Sequence, residues 1–68
     1  MSDNNDLAAA SRMEAEAAEC RRLAARFRKK AENAKLPLKK TFFSGLVRRY
    51  TLLAEVHQKE AEKLRTRE

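Results

Sequence analysis

Two runs of apolar residues, each recurring at alternating steps of three and four, flank the only proline in the chain. The first is Ala10, Met13, Ala17, Cys20, Ala24, Phe27, Ala31 and Ala34; the second is Phe43, Val47, Tyr50, Ala54, His57, Ala61 and Leu64. A repeat of about 3.5 residues marks helices that pack along a seam. Proline disfavours a helical conformation in the residue before it, which makes Leu36 the break. Pro37 itself suits the first turn of a new helix, where its missing N–H costs nothing. The spacing therefore predicts two helices, over about 5–34 and 38–66, joined by a turn at 35–37. Each would be roughly 28 residues, or ~42 Å, long. Asp3, Asn4, Asn5 and Asp6 offer N-caps for the first helix. Ser11 with Glu14 is a second, later capping box.

Folded back on itself, the chain should pair positions equidistant from residue 37. That sets Ala31 against Phe43, Phe27 against Val47, Ala24 against Tyr50 and Cys20 against Ala54. The series continues with Ala17 against His57, Met13 against Ala61 and Ala10 against Leu64. All but the Cys20–Ala54 layer place a large side chain beside a smaller one, which lets helices approach closely at native density. The turn signal and the packing signal are independent, and both centre on Pro37. The fold class expected is all-α: a single antiparallel helical-hairpin domain spanning the chain. A charged fraction of 38% with one Gly and one Pro agrees with long helices.

The second helix carries more apolar surface than one neighbour consumes. A further stripe runs Phe42, Leu46, Arg49, Leu53 and Val56, with Leu23 and Ala9 of the first helix flanking the same side. A helix apolar on two adjacent seams contacts more than one neighbour. Sixty-eight residues also bury only about 60% of their unfolded surface, so a lone hairpin is marginal. The expectation is a homodimer that closes a four-helix bundle. Gly45 falls within the second helix at a position facing outward. It is either a tolerated weak spot, with Ser44 capping a ragged start, or a point of close approach by a partner or phosphate.

Charge is distributed unevenly. Residues 1–20 hold one arginine and five acids; residues 50–68 hold four bases and four acids. Residues 21–49 hold eleven bases and a single acid, Glu32. Bases near the end of the first helix suit its dipole, but Lys39 and Lys40 sit at the positive end of the second, where acids are preferred. A chain shaped only for stability would not crowd like charges at one end of a hairpin. The pattern points to an anionic partner, either nucleic acid or an acidic protein surface. Arg21, Arg22, Arg26, Lys29, Lys30, Lys39, Lys40, Arg48 and Arg49 are the candidate contacts. Leu23, Phe42, Leu46, Leu53 and Val56 are the candidate second helix interface. No zinc finger, RNP pair or helix-turn-helix spacing is present. The alternating small and large layers resemble those of the Rop family of plasmid RNA-binding hairpins. That resemblance is one of layer pattern, with no matching stretch, so it transfers no RNA-binding residue. It implies that such an architecture can bind nucleic acid without a pocket.

Catalysis, metals and cofactors find no constellation to stand on. One Cys and one His cannot make an internal disulfide or a four-ligand zinc site. Cys20 and His57 both fall on the seam, where they read as packing residues, and no oxyanion-stabilising loop or small-molecule pocket accompanies them. No apolar run approaches the ~20 residues of a membrane span. A cytoplasmic, non-enzymatic binding protein is the expectation, with nucleic acid as partner. The alternative is a protein-binding adaptor or inhibitor that grips its target through Phe42, Leu46, Leu53 and Val56.

Overall fold

A computed structural model describes residues 4–66 as two antiparallel helices packed side by side. α1 runs Asn4–Asn33 and α2 runs Pro37–Thr66, 30 residues each. The body measures 53 × 12 × 11 Å between Cα extremes, so it is a rod two helices wide. No helix among the described residues is long and apolar enough to cross a membrane.

The break lies where proline chemistry puts it. Pro37 is the first residue of α2, and the carbonyl of Leu36 accepts the amide of Lys40 at 3.0 Å, opening the helical ladder. The last turn of α1 tightens, with the Ala34 amide donating to the Ala31 carbonyl at 3.3 Å. The turn is 34–36, one residue earlier than the spacing suggested, because Pro37 is already helical and Ala34 has left α1. No described residue has a positive φ, so α1 ends without a left-handed cap. At the other end α1 is already formed at Asn4, and the expected cap at Asp3 lies outside the described residues. Ser11 is inside the helix and caps nothing. Ser44 likewise lies inside α2, which removes the ragged start considered for Gly45.

The buried centre consists of small side chains alone. Ala10, Ala17, Ala24 and Ala31 follow one another at seven-residue steps along α1, and Ala54 and Ala61 do so along α2; Cys20 completes the set. A stripe with only a methyl group at every second turn lets two backbones come close. The large seam residues Met13, Phe27, Phe43, Val47, Tyr50, His57 and Leu64 lie half-buried along the flanks. The expected register holds. Ala17, Cys20 and Ala54 form one buried cluster with Tyr50 against it. Phe27, expected opposite Val47, stacks on the rings one turn to either side, Phe43 at 6.0 Å and Tyr50 at 5.7 Å between centroids.

Candidate nucleic-acid interface

The basic segment of the chain straddles the turn, so the hairpin places its two halves side by side. Arg21 stands twelve residues before the end of α1 and Arg49 twelve after the start of α2. At 1.5 Å per residue the charge therefore occupies a band roughly 18 Å deep, rather than the tip alone. The first turn of α2 contains no acid. Lys39 and Lys40 in that turn add to the positive field of Lys35 just before it.

Within this band the bases have different surroundings. Two shallow hollows lie in succession along the groove between the helices and share one residue, Arg28. The first is lined by Arg28, Ala31, Glu32, Lys40, Ser44 and Val47. The second is lined by Arg21, Ala24, Ala25, Arg28, Thr51, Ala54 and Glu55. Small residues from both helices make the floor, while three cations, two carboxylates and two hydroxyl-bearing side chains stand around it. Arg21 and Arg28 are seven residues apart on one face of α1, about 10 Å along the axis. Arg28 is the residue that sequence reasoning passed over. Its charge was evident, but its place between Arg21 and Lys40 depends on how the two helices are rotated.

The other candidates divide. Arg22 is engaged by Glu19, one turn earlier, at 3.1 Å. The hydrogen bond from Arg22, with its charge, holds the Glu19 carboxyl below its ordinary value, and Arg26 contributes to the same effect. Lys30 extends over an aromatic pair, with its ammonium 5.8 Å from the ring centre of Phe27 and 5.9 Å from that of Phe43. That geometry is a cation–π contact. Arg26, Lys29 and Lys39 are exposed. Arg48 and Arg49 border a third hollow with Gly45, Leu52, Leu53 and Val56, on the outer side of α2. Arg21 and Lys40 thus line successive hollows that have Arg28 in common, and Arg49 lies among the apolar residues of another face.

That second face is the uncovered stripe. Phe42 is 62% exposed, Leu52 55%, Leu53 39% and Val56 54%; Leu46 and Leu23 are half-buried. Leu52 and the 85%-exposed Leu38 belong to the same stripe and were not among the interface residues expected. Their signal was available, since each sits three or four residues from a stripe member. The adjacent phenylalanines are therefore split between two duties. Phe43 stacks into the seam, while Phe42 meets its edge at 5.5 Å and faces outward.

Away from the band, Cys20 is buried among alanines and His57 is half-buried on the seam. Among the described residues no three His, Cys, Asp or Glu side chains come together as a metal site would require. Comparison with protein-family models, with curated proteins and with solved structures yields no match.

Proposed function

We propose that this chain is a non-enzymatic, cytoplasmic binding module that associates as a homodimer and holds nucleic-acid phosphates against its basic band. The observation carrying this reading is the groove shared by Arg21, Arg28 and Lys40. Three cations stand along two shallow, open hollows together with the Ser44 and Thr51 hydroxyls and the carboxylates of Glu32 and Glu55, and residues 21–49 around them hold eleven bases to one acid. An extended polyanion suits an open channel better than a small molecule does, because the hollows enclose nothing. The floor of alanines lets a backbone lie close to the cations without steric conflict. Sugar–phosphate contacts of this kind position a nucleic acid without reading its sequence. Arg22, Arg26, Lys29, Lys30, Lys39, Arg48 and Arg49 contribute to the surrounding field.

The test is salt-dependent binding of duplex and single-stranded oligonucleotides, measured by fluorescence anisotropy. Logarithmic affinity should fall linearly with logarithmic salt, with a slope of about −0.7 to −0.9 per phosphate neutralised. Affinity that is flat in salt would overturn the reading.

A second reading rests on the exposed Phe42, Leu46, Leu52, Leu53 and Val56 stripe, which has the character of a protein-docking face. In an adaptor, Leu53→Asp abolishes partner binding while salt changes it only modestly. In the nucleic-acid module the order of sensitivity is reversed.

A further inference from the structure

The hairpin alone gives no reason for Gly45. Its φ is not positive, so no backbone conformation requires glycine. A Cβ built there meets nothing within 4 Å, so no neighbour in the hairpin excludes a side chain. Glycine in a helix interior nonetheless costs about 1 kcal/mol relative to alanine. Gly45 lies in the middle of the uncovered apolar stripe, in a hollow it shares with Leu52, Leu53 and Val56. A missing side chain at the centre of an exposed apolar helix face is where another backbone or a large side chain comes close.

The stripe is complementary to its own inverse. Turned end for end about an axis through Arg49, α2 presents Phe42 to Val56, Leu46 to Leu52 and Gly45 to Leu53. The glycine then receives a leucine, and the same contact recurs on the other side of the axis. The two Arg49 stems lie over the apolar surface with their guanidiniums reaching the rim, as long cationic side chains do. Charge selects the same orientation. Residues 1–20 carry five acids and one base, whereas residues 21–49 carry eleven bases and one acid. An end-for-end arrangement sets each basic half beside the acidic half of its neighbour. A parallel one stacks the two basic halves together. The hairpin also has burial to gain, because none of the large side chains among the described residues is fully buried.

We propose that the α2 stripe is covered by a second copy of this chain in antiparallel orientation, with Leu53 of each copy seated over Gly45 of the other. This rests on the two-copy reading above and specifies its geometry. A dimer of this kind carries a basic band near each end of the rod, so that two phosphate-binding grooves are held apart.

The experiment uses the full chain with Cys20→Ala, so that introduced cysteines report alone. Sedimentation equilibrium should give twice the 7.8 kDa chain mass. Phe42→Cys and Val56→Cys chains, each oxidised separately, should yield no disulfide dimer; mixed before oxidation, they should cross-link to each other. Gly45→Leu should weaken dimerisation about tenfold or more while far-ultraviolet dichroism still reports a helical chain. A monomer at all concentrations overturns the two-copy reading itself. A dimer in which Phe42→Cys cross-links to itself leaves two copies standing and overturns the antiparallel arrangement. A Gly45→Leu dimer as tight as the parent overturns the seat assigned to Leu53.

Discussion

The two halves of the hairpin solve the same packing problem with different materials. Near the open end, Ala10, Ala17 and Ala61 are completely buried, and the charges that face across the helices are opposite. Arg65 donates to both oxygens of Glu14, at 2.9 and 2.7 Å. Near the turn, the seam is lined by Phe27, Phe43 and Tyr50, and bases far outnumber acids, although Glu32 and Glu55 line the groove with Arg21, Arg28 and Lys40. The open half is arranged as folding alone would arrange it. The turn half keeps cations together that repel one another, and relies on a stack of rings to stay closed. Where a small protein departs from the arrangement that stability favours, the departure locates the work it does. Here the departure is the band from Arg21 to Arg49, and the proposed binding is placed there for that reason.

The comparison breaks first at the ring stack. Phe27→Ala removes the ring that both Phe43 and Tyr50 stack on, and also one support of the Lys30 ammonium. Truncating a buried phenylalanine costs 3–5 kcal/mol. For this half-buried one, about 3 kcal/mol is expected in urea unfolding. A loss under about 1 kcal/mol would mean that the rings are ornaments on an alanine seam.

Next in size is overpacking of the other half. Ala17 has no exposed surface, so the larger side chain of Ala17→Leu can be accommodated only by moving the helices apart. A loss of roughly 2 kcal/mol is expected, by the same measurement. An unchanged midpoint would show that the alanine stripe is not where the backbones meet.

Neutralising the groove tests the division of labour directly. Arg21→Gln, Arg28→Gln and Lys40→Gln together should reduce oligonucleotide affinity about tenfold or more at low salt. The salt slope should shrink by about 2, in line with three lost phosphate contacts. Thermal stability should change little, because the three side chains are exposed and face the carboxylates of Glu32 and Glu55 as well as one another. The matched control, Arg12→Gln, Lys59→Gln and Lys63→Gln in the open half, should leave affinity close to that of the parent. Equal losses from both sets would mean that net charge alone governs binding.

The smallest effect is at the ion pair. The hydrogen bond from Arg65 holds the Glu14 carboxyl below its ordinary value of 4.5, against an opposing effect of desolvation and with a lesser contribution from the Arg65 charge. A carboxyl with a depressed folded value contributes stability that is present above its unfolded value and lost as pH falls through the folded one. Melting temperature should therefore decline slightly on acidification below about pH 4.5, and Glu14→Gln should remove that part of the decline. Both groups are well exposed to solvent, so the change is modest. Protonation of Glu19 beside Arg22 follows the same sign.

Much of the architecture was legible because it is written in local terms. A proline acts on its own neighbours, and a step of three and four residues is a property of one helix at a time. Pro37 and the two apolar runs therefore determined the hairpin, its register and the buried alanines, and missed the turn by one residue. The excess of bases between residues 21 and 49 was equally plain, since charge is a property of composition. Tertiary structure decided which of those bases line a common surface. Arg28 joins Arg21 and Lys40, Lys30 turns onto a ring pair, and Arg48 and Arg49 border an apolar hollow, all because of how one helix is rotated against the other. The Glu14–Arg65 pair and the open space around Gly45 have the same origin. Periodicity states which residues share a face, but only two helices in contact establish what each face meets.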